Sequence, residues 1–410
     1  MSELDVSDLI TVDQAIALID ALAVQPRQIE LPLPQAAGMR LAEAIRADRD
    51  CPPWDKSLMD GYAVRAADLA RVPAELRVVG QASAGHAAMK GIGVGEAMTI
   101  MTGAPLPPGA DCVVPIEQTD LPDGPFVSAG GIVTVLKSGS AGQFVARRAA
   151  DIAAGTEVLS PGTLIGAAQI AAAAFVGTSI VKVFDRPRVA VLGTGDELVG
   201  FEQTPRGAEI RNSNNPMLTA LLMRLGCTVR DLGLVNDDPT AIRARIAEGL
   251  KEDCLFVTGG MSRGQHDHVP RILKEMGGQL RITKLRIRPG KPFVLATMPG
   301  GQTVFGLPGN PVSAFVCTVR LAARLLRRMM GAPAEEGIVH LPLAVAAPAN
   351  GPREFYQPAT LQSDGVRPLM LKGSADIFTL ARARILLIRD ESAPAQPAGA
   401  MVRTIQLPAE

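Results

Sequence analysis

The sequence predicts a multidomain protein that combines an α/β sheet domain with β domains. At 410 residues, the chain is too long to fold around one hydrophobic core. From Arg188 to Met330, apolar strand-like runs alternate with helical patterns, which indicates a parallel sheet in a three-layer domain. From about Leu76 to Leu136, and again after Gly337, short β-rich runs are separated by turn residues, which is typical of β domains.

The N-terminal region predicts helices that flank one of these β domains. Thr11 and Gln14 form a capping-box pattern at the start of a first helix. A second helical piece is predicted from about Leu41 to Arg46, and residues 144–183 return to helical character. Because the β-rich segment lies between these regions, we expect a β domain inserted into a discontinuous helical linker domain.

The expected elements of the sheet domain follow in a regular order. Strands are predicted at Val189–Leu192, Val229–Val235, Cys254–Val257 and Thr303–Phe305. Helices are predicted at Pro216–Leu225 with Asn215 as cap, from Asp238-Pro239, from about Val269, and from Pro311 to Met330. The expected domains are 1–50 with 144–183 (helical linker), 51–143 (inserted β domain), 184–330 (sheet domain) and 338–410 (C-terminal β domain).

Composition restricts the classes of partner. The chain has 47% hydrophobic and 20% charged residues, which is typical of a globular protein. Lys plus Arg equals Asp plus Glu at 41 each, so no overall field attracts nucleic acid or an anionic membrane, and aromatic residues for base stacking are scarce at 3%. Five dispersed cysteines without a CxxC pair, an acidic N-terminus and the lack of an apolar run of ~18 residues predict a cytoplasmic protein with unpaired thiols.

Three loops follow predicted strands of the sheet domain, at the edge where parallel sheets bind ligands. The first, Gly193–Leu198, has two glycines but no third, so it is not a dinucleotide-binding fingerprint. Its acid pair is more informative. Asp196 can serve as a helix cap, which makes Glu197 the better functional candidate.

The second loop, Thr258–His268, predicts an anion site. Its glycines allow backbone N–H groups to converge on a phosphate, and a helix follows. Asp267 would repel that phosphate unless a cation intervenes, so a divalent ion is inferred. His266 and His268 could instead bind a transition metal, but surface histidines are the favoured interpretation because only two other histidines exist in the chain.

Two further segments of the sheet domain have an ordinary structural explanation and a functional one. The third loop, Leu307–Ser313, can be simply a stiff turn between strand and helix. The segment Arg286–Pro292 carries three cations around a Pro-Gly turn, and such a run is often only a solvated face. Its place in the same domain as the anion loop favours a clamp for a phosphate or another oxyanion.

The segment Pro53–Arg65 contains the single tryptophan of the chain and one of its two tyrosines. Gly61 would let the backbone turn or approach a ligand closely, which leaves the carboxylate of Asp60 projecting. The alternative is a buried structural turn with a solvated aspartate.

Seven motifs, in this order, resemble the MoeA/gephyrin family of enzymes that insert molybdate into molybdopterin. They are Met59-Asp60-Gly61-Tyr62-Ala63, Ile100–Pro105, Gly195–Leu198, Asp237-Asp238-Pro239, the glycine loop with Gly259, Gly260, Ser262, Gly264 and Asp267, Pro289-Gly290-Lys291-Pro292, and Leu307–Ser313.

The resemblance implies four domains, including a molybdopterin-binding sheet domain and a C-terminal β-barrel-like domain, and a homodimer. The implied reaction joins adenylylated molybdopterin and molybdate to give molybdenum cofactor and AMP with the help of Mg²⁺. Molybdopterin adenylyltransferase and molybdoenzyme chaperones are candidate partners. A scaffold or pterin-binding protein without catalytic activity is the alternative function, and a nucleotide pyrophosphatase would not need the inserted β domain.

The resemblance also implies roles for individual residues. The implied catalytic residues are Asp60, Thr102, Glu197, Asp237, Asp267 and Lys291. The implied metal ligands are Asp151, Glu197, Asp237 and Asp267. The implied pterin-binding residues are Gly259, Gly260, Ser262, Gly264, Arg288, Lys291, Pro308, Gly309, Asn310 and Ser313.

The chain departs from the family's usual motifs at four places. Arg288 stands where lysine is usual, so the charge is kept but the donor geometry changes. Asn212, Gln265 and Ala150 each stand where an acidic residue is common. The loss of carboxylates bears on the metal site more than on the phosphate site.

Overall fold

The computed structural model describes residues 9–83, 85, 90–260 and 268–407. The chain divides into two compact units. The first unit comprises Met1–Leu31, Gly38–Ala42 and Lys182–Glu410, and the second comprises Pro32–Ala37 and Glu43–Val181. The finer division into four domains stays a prediction. None of the helices in the described ranges is long and apolar enough to cross a membrane.

Short helices and strands make up both units. The α-helices are α1 (Val12–Asp20), α2 (Ala167–Phe175), α3 (Asn214–Arg224), α4 (Pro239–Gly249), α5 (His268–Glu275), α6 (Pro311–Cys317), α7 (Ala323–Met329) and α8 (Ile377–Leu380), and a π-helical segment, Thr318–Ala322, joins α6 to α7. The strands are β1 (Gln28–Pro32), β2 (Ile45–Arg46), β3 (Lys56–Ser57), β4 (Gly61–Val64), β5 (Ala74–Ala82), β6 (Glu96–Ile100), β7 (Cys112–Pro115), β8 (Ile132–Val135), β9 (Val145–Ala146), β10 (Glu157–Leu159), β11 (Ile180–Phe184), β12 (Arg188–Thr194), β13 (Leu198–Val199), β14 (Ile210–Arg211), β15 (Thr228–Val235), β16 (Cys254–Thr258), β17 (Gln279–Lys284), β18 (Ile287–Arg288), β19 (Pro292–Thr297), β20 (Thr303–Leu307), β21 (Ile338–Pro342), β22 (Glu354–Gln362), β23 (Gly365–Pro368), β24 (Ile385–Arg389) and β25 (Met401–Gln406).

The first unit is organised around a six-stranded sheet with the order β15-β12-β16-β20-β19-β17. The first four strands are parallel to one another, as predicted. Strand β19 runs in the opposite direction and pairs antiparallel with both β20 and β17. The sequence predicted a parallel sheet, which was wrong for the two pairings of β19. The connections that flank β19 are too short for the crossover of a dozen or more residues that parallel strands require.

Helices cover both faces of this sheet. Val189 and Val191 lie in one hydrophobic cluster, with residues of α3, α6 and α7. Ala190 and Leu192 lie in another, with residues of α4 and α5. Successive residues of β12 therefore enter opposite cores, which is why the sequence there is a continuous apolar run rather than an alternation.

A second sheet of the first unit has the order β18-β22-β24-β25-β21, with β23 paired to β22. Strand β18 belongs to the cationic turn between β17 and β19, and it pairs in parallel with β22 through Ile287 opposite Glu354 and Arg288 opposite Phe355. The cationic turn is thus fixed to the C-terminal part of the chain. The closure of this sheet into a barrel stays a prediction.

The second unit contains a five-stranded sheet with the order β7-β4-β6-β5-β8. Four of these strands were predicted from the β-rich pattern, but β4, which carries Gly61-Tyr62-Ala63, was not. Tyr62 is fully buried, and a Cβ on Gly61 would lie 2.0 Å from the carbonyl oxygen of Val114. Gly61 is therefore required by the close approach of the neighbouring strand β7.

The prediction of mostly helical structure in the flanking segments was wrong. Leu41 forms a bridge with Val183, and Ile45–Arg46 pairs with β10, so the helix expected at 41–46 does not form. In the described parts of 9–50 and 144–183, only α1 and α2 are α-helices. Helix propensity is a weak preference that strand pairing with distant residues overrides here.

Candidate functional site

Two loops at the carboxyl end of the sheet carry the carboxylates that we call the acidic edge, namely Asp196, Glu197 and Asp237. The backbone N–H of Asp237 donates to Oδ1 of Asp196 over 3.0 Å, which joins the loops after β12 and β15. The prediction that Asp196 caps a helix was wrong, since strand β13 begins at Leu198. Its carboxylate is used to hold Asp237, and Glu197 remains exposed next to it.

Asp237 is the most constrained carboxylate of the acidic edge. Its side chain is half-buried, and Oδ1 has no hydrogen-bond partner among the described residues. Burial raises the pKa of Asp237, and the negative charges of Asp196 and Glu197 raise it further, while His268 opposes them. The acidic edge would therefore be stabilised by a bound cation.

The glycine loop after β16 lies directly against the end of β12. Gly259 and Gly260 have φ angles of +89° and +62°, and a Cβ on Gly259 would lie 2.1 Å from the carbonyl oxygen of Thr194. The N–H of Gly259 donates to the carbonyl of Leu307 over 3.3 Å. The ends of β12, β16 and β20 therefore meet at this loop. The other predicted residues of the loop, Ser262, Gly264, Gln265, His266 and Asp267, lie outside the described residues.

Four further buried oxygen atoms near this edge have no hydrogen-bond partner among the described residues. They are Oγ1 of Thr194, Oγ1 of Thr258, Oδ1 of Asn214 and Oδ1 of Asn215. Nδ2 of Asn214 donates to the carbonyl oxygen of Gly309 over 2.6 Å, so Asn214 supports the third loop. Buried oxygens without partners are costly, and they can accept hydrogen bonds from a ligand. The sequence analysis missed Asn214 and both threonines as site residues.

Asn212 explains why one carboxylate of the family motif can be lost without harm to the fold. Its Oδ1 accepts a hydrogen bond from the N–H of Asn215 over 3.1 Å, in the first turn of α3. A carboxylate oxygen of aspartate could accept the same hydrogen bond. Helix α3 itself begins at Asn214, slightly before the predicted start.

A separate cavity of about 330 Å³ in the first unit, which we call the cationic pocket, is lined by Arg288, Lys291, Arg353 and Lys372. No acidic residue lines it among the described residues. The remaining lining residues are Pro289, Gly290, Pro292, Pro308, Asn310, Ser313, Phe355, Leu371, Gly373 and Ser374.

The cationic pocket combines predicted residues with residues that the sequence analysis missed. Arg288 and Lys291 come from the cationic turn, whereas the predicted Pro308, Asn310 and Ser313 come from the third loop. Arg353, Lys372 and Ser374 were missed, because only the pairing of β18 with β22 brings the C-terminal sheet to this turn. Nδ2 of Asn310 donates to Oγ of Ser374 over 2.8 Å, which connects the third loop to the segment between β23 and α8.

The three cations of the cationic turn have different environments. Arg286 forms an ion pair with Glu391. The guanidinium of Arg288 lies over the ring of Phe355, with Cζ 4.4 Å from the ring centroid, and Lys291 is exposed at the pocket. The clamp interpretation therefore applies to Arg288 and Lys291, while Arg286 is used within the fold.

In the second unit, the structure brings together the predicted residues Asp60 and Thr102. Oδ1 of Asp60 accepts hydrogen bonds from the backbone N–H of Thr102 over 2.6 Å and from its hydroxyl over 2.8 Å. These two donors, the N–H first, lower the pKa of Asp60, although slight burial opposes them. Both side chains are exposed, so Asp60 is an accessible, firmly ionised carboxylate.

The predicted metal ligands that the structure describes are divided between the two units. Asp151 is exposed in the second unit, where its N–H donates to the carbonyl of Cys51, whereas Glu197 and Asp237 belong to the first unit. Asp267 lies outside the described residues. Across the described ranges, no three His, Cys, Asp or Glu side chains form a group that could hold a metal ion.

Comparison with known proteins gives matches along most of the chain. Residues 10–177 match the family model for the MoeA N-terminal region (domain I and II), and residues 190–328 match the model for a probable molybdopterin binding domain. A molybdopterin molybdenumtransferase of Nostoc sp. is 37% identical over 72% of this chain and 68% of its own length. The chain belongs to the MoeA family. A molybdopterin molybdenumtransferase of Haemophilus influenzae is 34% identical over 79% of this chain and 78% of its own length.

Solved structures of the MoeA family agree over almost the whole chain. Two crystal structures of a molybdopterin biosynthesis MoeA protein from Pyrococcus horikoshii match with TM-scores of 0.86 and 0.82 and identities of 28% and 26%. They cover 98% and 97% of this chain, and 99% and 100% of those chains. The C-terminal residues of the cationic pocket, Arg353 to Ser374, lie beyond both family models.

Proposed function

We propose that this MoeA-family chain is a molybdopterin molybdenumtransferase, a transferase that inserts molybdate into adenylylated molybdopterin and releases AMP. Relatives that carry this activity in their names share 31% to 37% identity over 72% to 79% of the chain. The observation in the structure that supports the proposal best is the cationic pocket, since both molybdate and the phosphates of the substrate are anions.

The cationic pocket is suited to an oxyanion on chemical grounds. Arg288 and Arg353 offer planar N–H donors, and Lys291 and Lys372 offer ammonium groups. Ser313 and Ser374 add hydroxyls in a cavity that no carboxylate lines within the described chain. A dianion that enters this pocket would therefore meet donors on several sides and no repulsive charge from its lining. We assign Lys291 and Arg288 the role of holding the anion.

The acidic edge fits a divalent cation. Mg²⁺ is held in many enzymes by one or two carboxylates together with substrate phosphates, so a group of three protein carboxylates is not required. Glu197 and Asp237 are the described residues that would hold it, because Asp237 has an unpartnered buried oxygen and a raised pKa. When bound, Mg²⁺ would neutralise phosphate charge. We assign Asp267 and Asp151 to the metal site only through the family resemblance.

Asp60 is suited to orienting a hydrogen-bond donor of the substrate rather than to taking up a proton. A carboxylate whose pKa lies below its ordinary value is a weak base near neutral pH. Thr102 occupies one of its oxygens with two hydrogen bonds, which leaves the other oxygen to accept a hydrogen bond from substrate. We propose that Asp60 and Thr102 together help to position the part of the substrate that receives molybdate.

The remaining assignments follow from the family. We propose that Gly259, Gly260, Pro308 and Gly309, with the undescribed Ser262 and Gly264, form the pterin side of the site. The orphaned oxygens of Thr194, Thr258 and Asn214 would accept hydrogen bonds from the N–H groups of such a heterocycle. We also propose that the protein forms a homodimer. We further propose a cytoplasmic location, and the five buried, unpaired cysteines support this location.

Growth of a bacterium that lacks molybdenumtransferase, with nitrate as the electron acceptor, tests the proposal. We expect the gene for this chain to restore growth, because nitrate reduction depends on the molybdenum cofactor. If the protein is produced in folded form but growth is not restored, the alternative of a scaffold or pterin-binding protein is favoured.

A further inference from the structure

Strand β22 presents its two faces to different parts of the first unit. Arg353, just before the strand, and Phe355 line the cationic pocket. Glu354 and Tyr356 alternate with them and therefore point to the opposite face. The hydroxyl of Tyr356 donates to Oε1 of Glu354 over 3.0 Å. The strand can thus be held on one face while it serves the pocket with the other.

The face that points away from the pocket is firmly anchored. Tyr356 is fully buried, and its hydroxyl accepts a hydrogen bond from Nε of Arg320 over 2.6 Å. Arg320 is in turn paired with Glu336, and the side chains of both residues are buried. Because buried charges that are satisfied in this way resist movement, the register of β22 and the place of Phe355 are fixed.

The face that points to the pocket carries the ring on which Arg288 lies. Phe355 is only 6% exposed, whereas Arg288 is exposed, and the distance from Cζ to the ring centroid is 4.4 Å. The parallel pairing of β18 with β22 places these two residues opposite each other. A cation in this position is attracted to the face of the aromatic ring.

A second arginine makes this support more important. Arg389 lies opposite Phe355 on the neighbouring strand β24, and it is 5% exposed. Burial, and then the positive charge of Arg288, lower the pKa of Arg389, so the two cations repel each other. The ring of Phe355 therefore offers the guanidinium of Arg288 a favourable contact close to its like-charged neighbour.

We propose that Phe355 is a positioning residue that fixes the orientation of the planar guanidinium of Arg288 against its ring. In this orientation the N–H edge of Arg288 faces a tetrahedral oxyanion in the cationic pocket. This rests on the proposed function, in which the pocket receives an anion. A free arginine side chain loses considerable rotamer entropy on binding, and a preoriented planar fork loses less. The lysine that is usual in the family at this position is a point charge and has no plane that a ring could orient. The ring of Phe355 is therefore needed in this chain because position 288 is an arginine.

The proposal predicts an effect on selectivity as well as on affinity. A fixed pair of N–H donors matches one spacing of oxygen atoms better than another. Molybdate is a larger tetrahedral dianion than sulfate, so a preoriented Arg288 distinguishes the two. When the ring is lost, Arg288 still supplies its charge, and the preference between the two anions should decrease.

The test measures binding of molybdate and of sulfate by calorimetry to the full chain and to its variants. We expect Phe355→Leu to weaken molybdate binding about three- to tenfold and to reduce its preference over sulfate, whereas Phe355→Tyr retains the ring and most of the affinity. In an Arg288→Gln background, Phe355→Leu should cause no further loss, because the group that the ring orients is absent. Since both comparisons remove the same ring, any general loss of packing cancels between the two backgrounds.

Lys291→Ala separates the failure of this inference from the failure of the proposed function. If Lys291→Ala weakens molybdate binding but Phe355→Leu does not, or if Phe355→Leu weakens it equally in both Arg288 backgrounds, the positioning role is wrong and the pocket remains an anion site. If neither Lys291→Ala nor Phe355→Leu changes molybdate binding, the pocket is not the anion site, so the positioning role of Phe355 and the anion-holding role of the pocket are both overturned, while the transferase activity is decided separately by turnover.

Discussion

Asp60 in the second unit and Asp237 in the first unit are both proposed site carboxylates, yet their surroundings act in opposite directions. Two hydrogen bonds from Thr102 lower the pKa of Asp60. Burial and two neighbouring acidic residues raise the pKa of Asp237. Asp60 is thus already stabilised as an anion by the fold, whereas Asp237 carries a charge that the described structure leaves without an adequate counterpart.

Because their pKa values are shifted in opposite directions, we assign Asp60 and Asp237 different roles. A carboxylate that is stabilised by fixed donors can orient a substrate group without any other ion. A carboxylate that is half-buried beside other acids is destabilised until a cation arrives. The same residue type therefore serves orientation in one unit and cation binding in the other, and substitutions should distinguish the two roles.

The largest effect is expected for Asp60→Asn. The amide oxygen can still accept the hydrogen bonds of Thr102, although more weakly than the carboxylate does, so the thermal midpoint should fall only slightly while turnover falls about 100-fold or more. Asp120→Asn is the matched control, because Oδ1 of Asp120 accepts a hydrogen bond from the N–H of Thr134 at another exposed position of the same unit. A large drop in the midpoint for Asp60→Asn alone would show that Asp60 is structural.

Asp237→Asn should reduce the response to Mg²⁺ while it stabilises the protein. Because the pKa of Asp237 is raised, the folded state holds its proton to a higher pH than the unfolded chain, and stability is lost as the pH rises from the ordinary pKa through the raised one. At neutral pH the variant should therefore unfold at a midpoint about 2 °C higher, with no difference at a pH below both values. A lower midpoint at neutral pH would contradict the assigned environment.

The response of the thermal midpoint to Mg²⁺ should also distinguish Asp237 from Asp60. A ligand that binds the folded state raises its stability, so added Mg²⁺ should raise the midpoint of the wild type and have less effect on Asp237→Asn. The Asp60→Asn variant should respond to Mg²⁺ as the wild type does. Equal responses of the wild type and Asp237→Asn would exclude Asp237 as a ligand.

Thr102→Val should have a moderate effect, because it removes only one of the two donors to Asp60. The backbone N–H at this position remains, so the pKa of Asp60 should rise towards its ordinary value without reaching it. The acid limb of the pH–rate profile is then expected to shift to higher pH, with turnover about three- to tenfold lower. An unshifted acid limb would mean that ionisation of Asp60 does not limit the reaction.

Asn212→Asp should have the smallest effect of the four. The substitution restores the family's usual carboxylate, and aspartate can accept the same hydrogen bond from Asn215. Because Asn212 is buried, we expect the new charge to lower the free energy of unfolding by about 1 kcal/mol, and slightly tighter Mg²⁺ binding should recover part of this loss. A strong loss of stability would show that the buried site tolerates only an uncharged side chain.

Local hydrogen bonds explain which elements could be predicted from the sequence. The capping box of Thr11 and Gln14 forms at α1, and Oδ2 of Asp238 accepts from the N–H of Ala241 at the start of α4. Such signals involve residues a few positions apart, so they are visible in the sequence. The apolar runs of the central strands are equally local.

Pairing between distant residues explains what could not be predicted. Leu41–Arg46 forms bridges and a short strand with Val183 and with β10 rather than a helix. The pairing of Arg288 with Phe355 brings Arg353 to the cationic pocket, and no periodic pattern connects segments so far apart. Glu336, between α7 and β21, is buried in ion pairs with Arg320 and Arg324, and no local pattern in the sequence indicates these contacts.

Turnover by the purified protein tests the central claim most directly. The protein is incubated with adenylylated molybdopterin and Mg²⁺, with and without molybdate, and both AMP and molybdenum cofactor are measured. We expect AMP and cofactor to appear together, in equal amounts and only when molybdate is present. Binding of adenylylated molybdopterin without molybdate-dependent release of AMP would contradict the proposed transferase and indicate a protein that binds the pterin without catalysis.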